Sequence, residues 1–217
     1  MDTTANWLAA LATLLILAVY ELRLAWAQRR RPAELARSAH ASLREEWFAE
    51  VSAQRGSEIL AVQTLRNSLM SATMTASTAV LGLMGTVTLA APSLHGSFAA
   101  DGSLLPHLTT RLALELTLLA LLFASLVSSA MAVRYFNHLG FIGGMPVEST
   151  GRKRWAATGQ AYARRAGLLY AWGLRQLLLV APILASMLHP FAGPIAALVL
   201  VAVLSGFDRV VGVGPPP

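Results

Sequence analysis

Long apolar runs alternate along this chain with segments crowded with arginine, and no other feature limits so strongly what it can fold into. The runs are Trp7 to Tyr20, continuing through a mixed stretch to Ala27, then Leu69 to Ala91, Leu112 to Val133, Gly167 to Leu188 and Phe191 to Phe207. A helix needs roughly 20 residues to cross about 30 Å of hydrocarbon, so most of these runs are near the length of a crossing. Only 13% of the 217 residues are charged and 55% are hydrophobic, where an ordinary soluble domain is about 25% charged. The mean hydropathy is +0.56. These observations predict an all-α, polytopic helical membrane protein with four or five transmembrane helices. The spans fall at about 6–27, 69–91, 112–133, 167–188 and 191–207, in one transmembrane domain over 1–210, with 211–217 as a disordered tail. The last span is short and contains Pro194. If His189-Pro190 is a bend in one broken helix there are four crossings, and if it is a turn there are five.

The basic residues set the orientation. Arg29, Arg30, Arg31, Arg37, Arg44 and Arg55 lie within 28–61, and Arg134, Arg152, Lys153, Arg154, Arg164 and Arg165 within 134–166, while 92–111 holds Arg111 alone. The positive-inside rule places both basic segments in the cytoplasm and the amino terminus outside a cell membrane, the inner membrane if the source is bacterial. The net charge of +6 is thereby assigned to orientation in a lipid bilayer, and nucleic acid is not an expected partner. Ala25-Trp26-Ala27 has the look of a signal-peptidase site, but the amino end carries Asp2 and no basic residue, so the first helix is read as uncleaved.

Between the first two spans, Ala36, Ala39, Leu43, Trp47 and Val51 recur at helical spacing, with Arg37, Arg44, Glu45, Glu46 and Glu50 elsewhere. Pro32 suits a first helical turn and Gly56 an end. The pattern predicts a cytoplasmic amphipathic helix over about 33–55, lying on headgroups or packed on its neighbours, or else gating. The next helix starts near Ser57 and would reach about 51 Å by Ala91. Its first turns therefore stand outside the hydrocarbon.

Ala61-Val62-Gln63-Thr64-Leu65-Arg66-Asn67-Ser68-Leu69-Met70 at the entry to the second span, Val133-Arg134-Tyr135-Phe136-Asn137-His138 at the exit of the third, and Gly173-Leu174-Arg175 in the fourth resemble the family catalogued as domain of unknown function 599, found in bacteria and plants. The resemblance covers roughly residues 15 to 208 and rests on the QTLRN and RYFNH strings. It implies a multi-span membrane protein and marks Gln63, Arg66, Asn67, Arg134, Asn137, His138 and Arg175 as positions of interest. It implies no chemistry.

An ionisable residue within a span costs about 2.5 to 3.5 kcal/mol on insertion scales, so each needs protein, water or an interface beside it. Arg175 lies about 12 Å along its helix from Gly167, and Glu21 about 9 Å from Ala27 on a helix of opposite direction. These depths permit a Glu21–Arg175 pair, serving as a structural ion pair or as an ion or substrate site. Arg111 and Glu115, four apart, read as an interfacial pair. Arg66 and Arg134 flank inner helix ends, where they either snorkel to lipid phosphate or, with Gln63 and Asn67, ring a pore mouth or bind an anion. In the second span Ser68, Ser71, Thr75, Thr78, Gly82 and Gly85 form a stripe of small residues, fitting either close helix packing or a hydrated path in an oligomer. Ser125, Ser128 and Ser129 fit either.

There is no cysteine, hence no disulfide, thiolate nucleophile or sulfur-based metal site. His40, His95, His107, His138 and His189 are scattered, and HExxH, GxSxG, Walker and Rossmann patterns are all missing. Gly140, Gly143 and Gly144 suit a helix cap and turn. The sequence therefore predicts no enzyme, no cofactor and no metal. It predicts a homo-oligomeric channel or transporter for a small ion or solute, an anion favoured over a cation, with Ser71, Thr75 and Thr78 on the path. The alternative is a non-transporting scaffold or regulator that holds a partner through its cytoplasmic helix and basic loop.

Overall fold

The structure, a computed structural model, describes residues 3–30, 35–99 and 108–208. Among these residues there are six helices and no strand: α1 (Thr3–Arg30), α2 (Ala36–Ala53), α3 (Glu58–Ala99), α4 (Thr110–Gly143), α5 (Thr150–Leu188) and α6 (Ala192–Phe207). Four of them, α1, α3, α4 and α5, are long and apolar enough to cross a membrane, and α6 is a shorter apolar helix. The tail at 211–217, Pro32 and much of the segment between α3 and α4 lie outside the described residues.

Helices outrun the apolar runs that announced them. α3 has 42 residues and passes through Pro92, giving about 63 Å, so the helix continues past the apolar run that ends at Ala91. α4 continues ten residues past Val133 and α5 begins at Thr150. The basic stretch 134–166 is thus largely helical, joined by 144–149. Ser149 caps α5 by accepting the Arg152 N–H at 3.1 Å, and Thr109 caps α4 by accepting that of Leu112 at 3.2 Å. The C-cap of α4 is Gly144, whose N–H reaches the Gly140 carbonyl at 2.9 Å. Between α2 and α3 the chain turns at Gly56, whose φ of 80° is costly for any residue with a Cβ.

The pair α3 and α4 packs antiparallel with buried residues spaced alternately three and four apart, the period of a left-handed supercoil. On α3 these include Ala61, Leu65, Ala72, Thr75, Ala79, Thr86 and Ala90, and on α4 Leu118, Leu122, Ala132, Phe136 and Leu139. Small α3 residues receive large α4 ones, and the fit is close. A Cβ on Gly82 would stand 2.9 Å from Leu122 Cδ2, and one on Gly143 would stand 3.2 Å from Leu65 Cδ1.

His189-Pro190 is a reversal, which settles the choice between a bent helix and two separate ones. A Cβ on Gly193 would meet Ser186 Cβ at 2.5 Å and Thr13 Oγ1 at 2.6 Å, so α6 folds back along α5 and both touch α1. Pro194 falls in the first turn of α6, where a missing N–H is tolerated. The core divides in two: Phe48, Leu65, Phe136, Leu139, Ile142 and Ala163 gather on the α2 side. Ala10, Leu17, Leu118, Leu122, Leu179 and Ile183 fill the rest.

Helix α2 buries most of the face its apolar spacing suggests, with Ala36 and Val51 buried and Ala39 and Trp47 half-buried, but it is rolled away from Leu43. Leu43 is exposed, while Ala41, Phe48 and Val51 are buried and Arg37 and Arg44 half-buried. The reason lies in α5, which offers Gly159 to the Phe48 ring, Gly167 to the Arg44 guanidinium and the Trp172 ring to Arg37, 4.3 Å from the ring centre. Two missing side chains and one aromatic plane make room for arginine stems and a phenyl ring that a hydropathy pattern places outward.

Candidate functional site

Four helix segments converge on Arg175. Its Nε donates to Glu21 Oε1 on α1 at 2.6 Å, and its Nη1 and Nη2 donate to the two carboxylate oxygens of Asp208, just past α6, each at 3.1 Å. The guanidinium also lies 4.8 Å from the centre of the Tyr20 ring, and the Tyr20 hydroxyl donates to Asp208 Oδ2. The Asp208 carbonyl accepts the N–H of Ala36, the first residue of α2, at 3.0 Å. Arg37 donates to Gln28 Oε1 at 3.3 Å. A buried arginine thus has one carboxylate on its edge and a second in the bidentate geometry that suits a guanidinium fork. Sequence depth alone suggested Glu21; Asp208 went unrecognised. The signal for it was arithmetic, because Arg175 to Leu188 spans about 20 Å and a 16-residue α6 about 24 Å. If α6 reverses direction, its end returns to Arg175.

A second buried arginine, Arg152, also escaped notice. Its Nη1 donates to the Ile142 carbonyl, its Nη2 to Ser52 Oγ at 3.2 Å, and its guanidinium lies 5.3 Å from the centre of the Phe48 ring. Burial lowers its pKa, partly offset by the charge of Glu58. Glu58 in turn accepts the Val147 N–H at 3.2 Å. Hydrogen bonds from its own backbone N–H and from that of Val147 hold its carboxyl below the ordinary value. These contacts tie α2, α3 and α5 to the turn after α4.

At the far end, Arg111 Nε donates to Glu115 Oε1 at 2.9 Å, with the arginine largely exposed and the glutamate wholly buried. The four-residue spacing had indicated this pair.

The motif side chains divide by direction. Leu65 and Phe136 are core, whereas Gln63, Arg66, Asn67, Arg134, Asn137 and His138 are exposed. The antiparallel register of α3 and α4 sets Arg66 level with His138 and Asn67 level with Asn137. The His138 ring lies 6.3 Å from that of Tyr162, which also meets Tyr135 at 5.1 Å.

The stripe on α3 is two rows rather than one. Ser68, Thr75 and Gly82 lean on α4 and are buried or half-buried, while Ser71, Thr78 and Gly85 are exposed. A 3.5-residue packing period accounts for this, since positions seven apart keep one direction and alternate members fall on the flank. The α4 serines face α5 instead: Ser125 Oγ donates to the Gly173 carbonyl at 2.7 Å, and Ser129 packs on the Gly173 backbone.

The fold and these charged contacts define the class: a polytopic α-helical membrane protein. Residues 8–213 match the family described as "Protein of unknown function, DUF599", and the chain belongs to that family. No curated protein and no solved structure matches it.

Proposed function

We propose that this protein is an oligomeric channel for a small ion, an anion favoured, in which copies of α3 face a shared axis, α2 lies in the cytoplasm and the amino terminus outside. One contrast carries the reading. The outward face of α1 is that of a lipid-facing helix, with Leu8, Leu11, Leu15, Val19, Leu22 and Trp26 exposed. The outward face of α3 is mixed: among exposed apolar residues such as Met74, Leu81 and Met84 it also exposes Ser71 and Thr78 within the span, where α1 exposes no hydroxyl, and Gln63, Arg66 and Asn67 at its entry. Such groups are tolerated in a membrane where they meet protein, an interface or water. Arg66 and Arg134 at the α2 end, with no acidic ring among the exposed motif residues, favour an anion. No catalytic step, cofactor or metal enters this reading.

A second reading has its own support. Ser71 Oγ donates to the Asn67 carbonyl at 3.1 Å and Thr78 Oγ1 to the Met74 carbonyl at 3.0 Å. Their hydroxyls are satisfied within the helix, so the face can be dry and hold another protein, as a scaffold would.

Ion flux into sealed liposomes across a salt gradient separates the two. Under the channel reading Thr78→Phe blocks flux with assembly intact, Thr75→Phe destabilises the chain by overpacking, and Arg66→Glu shifts selectivity toward cations. Normal assembly without flux in the unmutated protein overturns the channel and leaves the scaffold.

A further inference from the structure

Beneath α2 is a cavity of about 270 Å³ whose walls come from four helices, including Leu43, Arg44 and Trp47 of α2, Leu65 of α3 and Phe136 and Leu139 of α4. It lies between the two family strings, at the level where α3 passes from its polar first turns into its apolar run. Its volume is below the range of about 300–1,000 Å³ that encloses a drug-sized ligand, which suits a single hydrocarbon chain. Leu43 is 61% exposed and Arg44 and Trp47 are half-buried, so the cavity opens at the edge of α2. Tryptophan at that depth is a usual marker of the membrane interface.

Arg44 is the only charged residue in this lining. It is laid down on α5, where a Cβ at Gly167 would come within 2.5 Å of its Nη1 and 2.9 Å of its Cδ. Three neighbouring arginines have protein partners: Arg55 has Glu148, Arg164 has Glu45 at 3.3 Å, and Arg152 has a carbonyl and a hydroxyl. For Arg44 the described residues supply neither a carboxylate within ion-pair distance nor a hydrogen bond. Burial lowers its pKa, as expected for a cation drawn partly out of water. A half-buried guanidinium with unused donors beside a hydrocarbon-lined slot is complementary to a phosphate joined to an acyl chain.

We infer that this cavity holds an anionic phospholipid of the leaflet on the α2 side, with one acyl chain between α2 and the α3–α4 pair and the headgroup phosphate on Arg44. The site does not depend on conduction. It makes α2 a clasp whose closure is completed by lipid, and it gives the inward residues of both family strings, Leu65 and Phe136, a shared ligand.

The test is native mass spectrometry of the full-length protein, delipidated in detergent and titrated with phosphatidylglycerol, phosphatidylcholine of the same chains, or inorganic phosphate. Phosphatidylglycerol should be retained at one per chain and at least about tenfold more tightly than phosphatidylcholine. Arg44→Gln should abolish that preference, Arg44→Lys should keep most of it, and Ser68→Leu, which fills the cavity from the α3 rim, should weaken both lipids together. Thermal melts of each variant establish that it is folded. Equal retention of the two phospholipids, an undiminished preference in folded Arg44→Gln, or displacement of the lipid by inorganic phosphate alone would overturn the inference.

Discussion

Arg175 and Glu21 stand 154 positions apart in the chain and share an ion pair, Nε to Oε1, at 2.6 Å. The arginine side chain is 7% exposed and the glutamate 22%, so neither charge is left to water alone. The pair pins α1 to α5, and Asp208 extends it to the end of α6 and, through its carbonyl, to the start of α2. A buried pair of this kind adds little net stability over an apolar replacement, but losing one member is expensive. Its clearest consequence is register: the helices it joins cannot slide without breaking a charged contact.

Removing Arg175 strands two carboxylates, so Arg175→Leu should cost about 3–5 kcal/mol, more than either Glu21→Gln or Asp208→Asn. Tyr20→Phe removes one hydrogen bond to a charged group and should cost about 1.5–3 kcal/mol. Thermal unfolding of the purified protein reads these effects, and the pair Glu21→Gln with Asp208→Asn should depart from additivity. Strict additivity would show that the carboxylates do not share one arginine.

The α4–α5 contact closes over Gly173, where a Cβ would stand 3.2 Å from the Ser125 carbonyl oxygen and collide with Ser129 Oγ. Gly173→Ala should therefore destabilise by about 1–3 kcal/mol through overpacking. Adding Ser129→Ala should recover part of that loss. A neutral Gly173→Ala in the same melting assay would mean that the helices stand further apart.

Orientation is open to a labelling experiment. Ser42→Cys and Thr150→Cys, on the α2 side, should resist an impermeant thiol reagent in intact cells, and His95→Cys, exposed near the other end of α3, should react. The nearby Ser97 is buried and would be a poor reporter. The absence of native cysteine makes each label unique. Reaction at Ser42→Cys in intact cells would reverse the assignment drawn from the arginines.

Glu58 links the turn after α4 to α3. Its pKa is lowered in the folded protein by backbone hydrogen bonds, chiefly its own and that of Val147. A depressed folded pKa means that the stabilisation is complete above the unfolded carboxylate value of about 4.3 and is lost as pH falls through the folded value. Protection of the Val147 amide, its exchange rate relative to the intrinsic rate at each pH, should accordingly be high at neutral pH and fall in acid, and Glu58→Gln should flatten the change. Exchange at Val147 that ignores the substitution would discard the link.

The sequence alone determined what depends on local spacing and on transfer from water. The apolar runs required helices of bilayer length, the arginine-rich stretches were set apart from them, Gly56 marked the end of α2, and similar depths on opposed helices permitted a pair between Glu21 and Arg175. Each of these follows from a rise of 1.5 Å per residue and the cost of burying charge. Only the tertiary structure decided which helix meets which. It turned His189-Pro190 into a reversal, and so brought Asp208 to Arg175. It split the α3 stripe, because α4 covers one row and leaves Ser71 and Thr78 outside. It rolled α2 onto Phe48 and Arg44 instead of Leu43, because Gly159 and Gly167 on α5 leave hollows there. A hollow is a property of two surfaces brought together, and the spacing of residues along one helix carries no record of the other.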